Sequence, residues 1–230
     1  MQTFGLKENH RIQVAVTAEQ KKSVYKLAYN VYLQKGFISE NFEKEYKIPN
    51  DLNDKTRVLF IENEHKEILG TVTVLSNVFG RLPYQTTFLN ESKILKDEYF
   101  RQIEFTRLVL CEKSRGKMQI IKCLMNFAYL YSYYFYQGDS IICEVNPRHE
   151  FFYNQILGFN KIGEEKSCSL VKGAPAVLMH ARISDIRFVI YNSQVNSNIL
   201  KNLNHHQISF YKSFCPFDCE ENAFASYVKM

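Results

Sequence analysis

The chain has 230 residues, 46% of them hydrophobic, enough to fill one core at the usual ~100 to 200 residues per domain. Its net charge of +5, from 29 basic against 24 acidic side chains, is spread along the chain. That excludes the dense basic face that nucleic acid needs and suits a modest basic patch meeting an acidic partner. No run approaches the ~18 to 20 apolar residues of a membrane-spanning helix, and Met1 to Arg11 lacks a signal-peptide core, so a cytoplasmic location is expected.

Arg11 to Val16 alternates apolar and polar residues, the period of a half-buried strand. Thr17 and Gln20 then form a capping-box pattern at the start of an amphipathic helix, with Val24, Leu27, Ala28, Val31 and Tyr32 at helical spacing up to Gly36. Residues 38–56, rich in charge and Asn, read as a mobile loop with a short helix at most. Arg57 to Glu62 and Ile68 to Leu75 read as a hairpin, and Gly70 within it predicts a bulge or a close backbone approach.

Residues 78–102 read as weakly ordered, followed by a strand over Ile103 to Leu110. A long helix is expected from Lys117 to Tyr136, closed by Gly138 as a C-terminal glycine. Next come a buried strand (Ser140 to Val145), a short helix (Arg148 to Leu157) and two last strands (Phe159 to Glu164, Ala176 to Ile183). Strands alternating with helices imply an α/β fold, a mixed twisted sheet with helices on both faces. One domain over 1–183 and a tail over 184–230 with one or two short helices are expected.

Cysteines 111, 123, 143, 168, 215 and 219 lack paired CxxC spacing and read as reduced thiols. Only Cys215 and Cys219, near His205 and His206, offer a conceivable metal grouping, and no metal is expected.

Three segments carry a family signature. They are Asn146-Pro147-Arg148-His149 with Phe152-Tyr153 and Leu157-Gly158-Phe159, Glu104-Phe105-Thr106-Arg107, and Gly173-Ala174-Pro175-Ala176-Val177-Leu178. With the element order, they resemble the FeeM-type N-acyl amino acid synthases, GNAT-fold relatives of the acyl-homoserine lactone autoinducer synthases. The resemblance covers about residues 10–183. It implies a GNAT fold and an N-acyltransferase that joins a long-chain fatty acyl group to the α-amino group of an amino acid.

The autoinducer branch carries a Trp-bearing N-terminal helix and an aspartate pair. Here the helix reads Tyr25, Tyr29, Tyr32 and Phe37, and the chain has no Trp, which favours the amino-acid branch. Ordinary acetyl-CoA-dependent relatives hold pyrophosphate on a glycine-rich loop before the long helix. The corresponding Glu112 to Met118 has one glycine. The expected donor is therefore a thioester on the phosphopantetheine of an acyl carrier protein rather than acyl-CoA, with no cofactor of the enzyme's own. Lys113, Arg115 and Lys117 would face that acidic carrier.

Acyl transfer to an amine needs a proton acceptor, a positioned carbonyl and a stabilised oxyanion. By strand parity Glu104 and Thr106 share a face, so Glu104 is assigned as general base and Thr106 as a positioning group. Arg107 points the other way and binds the acceptor carboxylate only if a bulge turns it inward; otherwise it pairs with Glu104. Asn146 and Arg148 belong at the mouth where the sheet splays, or serve as a cap and a solvated charge. His149 is either a proton carrier or a capping residue.

Phe105, Phe152 and Tyr153 are assigned to substrate binding. A fatty chain in an aromatic tunnel gains ~0.8 kcal/mol per buried CH₂, and the tyrosine run from Tyr129 to Tyr136 is a further candidate lining. Two other functions fit the same resemblance: an autoinducer synthase using S-adenosylmethionine, and a non-catalytic module that binds acyl groups or carriers.

Overall fold

The computed structural model describes residues 10–194 and 204–214. Seven strands make one sheet: β1 (Arg11–Val14), β2 (Arg57–Glu62), β3 (Ile68–Ser76), β4 (Gln102–Leu110), β5 (Ser140–Val145), β6 (Asn160–Cys168) and β7 (Ala174–Arg182). Their spatial order is β1-β2-β3-β4-β5-β7-β6. Neighbours run antiparallel except β4 and β5. A parallel pair needs a crossover, and α4 (Met118–Leu130), extended by the wider turn Tyr131–Phe135, supplies it.

The two-residue period of the strands sorts side chains into two cores. Leu59 and Ile61 of β2, Ile103 and Phe105 of β4 and Ile141 and Cys143 of β5 lie with α4. Val58 and Phe60 instead meet Val24 and Tyr25 of α1 (Ala18–Gln34). Thr17 and Gln20 close the capping box of α1: Gln20 N–H donates to Thr17 Oγ1 at 3.1 Å and Thr17 N–H to Gln20 Oε1 at 3.0 Å.

The expectation of weak order over 78–102 is corrected. This stretch forms α2 (Tyr84–Thr87) and α3 (Leu89–Glu98). Leu82, Tyr84, Phe88 and Leu95 pack there against Ile142, Ala176 and Leu178. The loop 38–56 carries one 3₁₀ turn, Pro49–Leu52, with Ile48 buried beside it.

Gly70 meets both sequence expectations. The β2–β3 register shifts beside it, and a Cβ there would lie 2.6 Å from Leu110 Cδ2 and 3.1 Å from the Val109 carbonyl. Gly138 differs from its expected role. The left-handed residue after α4 is Gln137 (φ 49°), while Gly138 gives room to Ile103, whose Cγ1 would be 2.5 Å from an added Cβ.

Beyond residue 183, α5 (Ile183–Gln194) and α6 (His205–Tyr211) bury Ile186, Ile190, Phe210 and Tyr211 in the α4-side core. Tyr211 Oη lies 3.0 Å from Tyr129 Oη and donates to the Leu157 carbonyl at 2.8 Å. Cys215 and Cys219 lie outside the described residues. Among the described residues, no group of three or more His, Cys, Asp or Glu side chains is placed to hold a metal ion. No helix among them is long and apolar enough to cross a membrane.

Candidate active site

β4 and β5 pair only through Gln102↔Ser140, Ile103↔Ile141 and Glu104↔Ile142, although both strands continue. Thr106 and Glu144 are therefore the first residues on that face beyond the last paired rung. β4 also carries a bulge: Thr73 opposes Thr106, but Thr71 opposes Val109, so one residue is extra. Arg107 sits in it with φ 51°, a left-handed conformation that a non-glycine residue holds only when its surroundings fix it. Beyond the bulge the alternation is reset. Val109 joins Ala28 and Val31 under α1, while Leu108 and Leu110 pack on the α4 side.

A cleft of about 440 Å³ opens where the strands part. It is lined by Val31, Leu108, Met118, Ile121, Phe105, Phe152 and Tyr153, with Lys35, Arg115, Arg148 and His149 among its charged or titratable residues. A smaller cavity of about 100 Å³, lined by Glu104 and Cys168, adjoins it. The two share Tyr32, Phe37, Thr106, Glu144, Val145 and Asn146.

Glu104 is 1% exposed, and its Oε2 accepts the Tyr84 backbone N–H at 3.1 Å. Burial holds its carboxyl well above the ordinary value, outweighing that hydrogen bond, and the neighbouring Glu144 pushes the same way. Glu144 is raised as well, again mainly by burial, against the opposing effect of the Cys168 thiol and then of Thr87, whose Oγ1 donates to its Oε1 at 2.9 Å. The cavity thus holds two carboxyls biased toward their neutral forms, and either can accept a substrate proton only after it has ionised.

Arg107 is corrected on both of its expected alternatives. The bulge exists, but the guanidinium faces Asp51, donating to its two oxygens at 2.7 and 2.6 Å. It also donates to Thr73 Oγ1 at 3.1 Å and the Tyr46 carbonyl at 3.2 Å, and lies over the Tyr25 ring. The residue lines the larger cleft, but its fork is occupied by Asp51, so it does not pair with Glu104 and is not free to clamp a substrate carboxylate.

Thr106, Phe105, Asn146, Arg148, His149, Phe152 and Tyr153 all line the larger cleft. Asn146 also caps the 3₁₀ turn Pro147–His149, accepting the Arg148 N–H at 3.3 Å and donating to the Pro175 carbonyl at 3.3 Å. Arg148 Nε donates to His149 Nε2 at 3.1 Å. Burial, followed by the charges of Arg148 and Lys35, lowers the His149 pKa. The tyrosines of 129–136 do not line the cleft: Tyr129 and Tyr131 are core, and Tyr136 donates to the Lys55 carbonyl.

Of the three basic residues before α4, Arg115 lines the cleft. Its guanidinium donates to Gln34 of α1. Lys113 lies 3.5 Å from Glu67 on the surface, and Lys117 is exposed; neither lines the cleft.

A family model described as N-acyl amino acid synthase FeeM matches residues 23–182. The chain belongs to this family. The structure of FeeM, an N-acyl amino acid synthase from uncultured soil microbes, matches with a TM-score of 0.65 at 17% identity over 78% of this chain and 93% of that one. A spermidine N-acetyltransferase SpeG mutant from Vibrio cholerae matches at 0.51 and 14% identity, over 78% and 97% of the two chains. A putative N-acetyltransferase from Lactobacillus plantarum matches at 0.52 and 13%, over 76% and 99%. These likenesses establish the GNAT acyltransferase fold. No curated protein matches the chain.

Within this FeeM-family acyltransferase, sequence reasoning missed Glu144, Asp51, Tyr32, Tyr46 and Lys35. Glu144 had a signal, since it is the single charge in the apolar run Ile141-Ile142-Cys143-Glu144-Val145. Asp51 had none, because its partner lies 56 residues away and meets it only through the bulge.

Proposed function

We propose that this N-acyltransferase moves a long-chain acyl group from the phosphopantetheine thioester of an acyl carrier protein to the amino group of an amino acid, with no cofactor of its own. The observation that carries the reading is the position of Glu104: a buried, proton-holding carboxyl at the last rung before the strands part, lining a cavity that adjoins an apolar cleft.

In this reading the pantetheine arm enters between β4 and β5 from the rim bearing Lys35, Arg115 and Arg148, whose charges suit the phosphate and an acidic carrier. The acyl chain lies against Phe105, Phe152, Ile121 and Met118. Glu104, as carboxylate, takes a proton from the incoming ammonium. The freed nitrogen attacks the thioester carbon, and the tetrahedral oxyanion meets the backbone N–H groups of β4, which has no ladder to β5 from Phe105 onward. Collapse breaks the C–S bond, and the thiol leaves with a proton. Thr106, shared by both cavities, positions the reacting groups.

Mass spectrometry of lipids from cells overproducing the protein tests the proposal. An N-acyl amino acid present with the wild type and absent with Glu104→Ala is expected. Identical lipid profiles for the two would overturn it.

A further inference from the structure

The cavity beside Glu104 is chemically one-sided. It is lined by two carboxyls, Glu104 and Glu144, and two phenols, Tyr32 and Tyr46, while no Lys, Arg or His is among the described residues that line it. Arg107, three residues beyond Glu104 along β4, has its charge met by Asp51. Glu104 Oε2 is occupied by the Tyr84 N–H, and no hydrogen bond within the described residues reaches Oε1. Glu144 projects from the neighbouring strand on the same face, with Thr87 donating to its Oε1 and the Cys168 thiol beside it, and no cation among the described residues meets it there.

We propose that the acceptor carries a second positive charge, which Glu144 binds while Glu104 serves the attacking amine; the acceptors are basic amino acids or short diamines. The proposal rests on the reading of Glu104 as the base of acyl transfer. Two carboxylates side by side in a small, largely apolar cavity repel, so both ionise only when two cationic groups are present. An acceptor with one ammonium satisfies one of them and leaves the other as a neutral acid. A second ammonium or guanidinium pairs with Glu144 and offsets the cost of ionising it. The same argument directs an acceptor carboxylate out of this cavity, toward the cationic rim at Lys35 and Arg148.

The test uses the full chain with a palmitoyl-loaded acyl carrier protein as donor. The acceptors are ornithine, 1,4-diaminobutane, norleucine and butylamine. Thiol release and amide mass give kcat/KM for each. Ornithine exceeding norleucine, or diaminobutane exceeding butylamine, by tenfold or more is the expected result; the better of the two charged acceptors assigns the source. Glu144→Gln is expected to lower the charged-to-neutral ratio about tenfold, and Glu144→Asp to retain part of it. Norleucine used as well as ornithine, together with butylamine used as well as diaminobutane, would overturn the proposal while leaving the acyltransferase reading intact. Loss of transfer to every acceptor would overturn both.

Discussion

Arg107 and Asp51 meet as a two-pronged ion pair, Nη1 to Oδ2 at 2.7 Å and Nη2 to Oδ1 at 2.6 Å, with side chains 2% and 5% exposed. One residue sits in a β4 bulge and the other in the turn Pro49–Leu52, so the pair ties the loop 38–56 to the sheet. That tie also fixes Tyr46, whose carbonyl accepts from Arg107 and whose side chain lines the cavity of Glu104. Loop position and site shape are therefore one property.

Removing either partner alone leaves an uncompensated buried charge, which costs ~3 to 5 kcal/mol. Asp51→Leu and Arg107→Met are each expected to lower stability by about that amount in urea unfolding. The double variant loses less than the sum of the two, because no charge is stranded. Additive losses would show that the pair contributes nothing as a pair.

Under the proposed mechanism Glu104 sets the acid side of the pH profile. Its pKa lies above the ordinary 4.5, first through burial and then through Glu144. A base must be ionised to accept a proton, so kcat/KM is expected to rise with pH through that elevated value. Glu104→Gln removes this limb and lowers kcat/KM by ~10² to 10⁴. Stability moves in the opposite sense. Folded Glu104 holds its proton longer than unfolded Glu104, so its contribution is full below 4.5 and is lost as pH rises through the folded pKa. Glu104→Gln is accordingly expected to raise the melting temperature at pH 8 and to change it little at pH 4.

The strands, α1 and α4 were legible because their periods are clean and their caps are local: Thr17 with Gln20, and the alternation in Arg57–Glu62. The helices α2 and α3 were not. Leu89–Glu98 buries only Ser92 and Leu95, so its face carries too few apolar residues to stand out from a polar loop. The site was legible as a set of residues and not as a set of contacts. Parity along β4 placed Glu104 with Thr106, but the bulge is built on Arg107 rather than a glycine, and nothing local announces it. What decides the partner of Arg107 is the packing of a distant turn, which no short-range pattern encodes.

His180 is 7% exposed, its ring 4.7 Å from that of Tyr99 and tilted 45° to it, and its Nε2 has no hydrogen-bond partner among the described residues. Burial, then the Arg182 charge, pushes it down from 6.5 to about 4. The folded chain binds fewer protons here than the unfolded chain, so its stabilisation is full above 6.5 and is lost as pH falls toward 4. The loss across that window is about 3 kcal/mol. His180→Phe keeps a ring against Tyr99 and removes the titration. Thermal melts at pH 7 and pH 4.5 should differ less for His180→Phe than for the wild type, and an unchanged difference would refute the assignment.

Carrier recognition is expected to separate from chemistry at the rim of the cleft. Arg148 and Arg115 line that cleft but lie outside the cavity of Glu104, and Lys35 beside them has its pKa lowered by burial and then by those two charges. A crowded positive rim raises the encounter rate with an acidic partner and is screened over ~10 Å at 0.1 M salt. Arg115→Glu and Arg148→Glu should each raise KM for an acyl carrier protein donor about tenfold at low salt, with kcat changed less than threefold. The same variants should change KM far less for an acyl-N-acetylcysteamine thioester, which has neither the phosphate nor the carrier surface. Steady-state kinetics with both donors, at low and high salt, makes the comparison: equal KM increases for the two donors would place these arginines at the acyl chain rather than at the carrier.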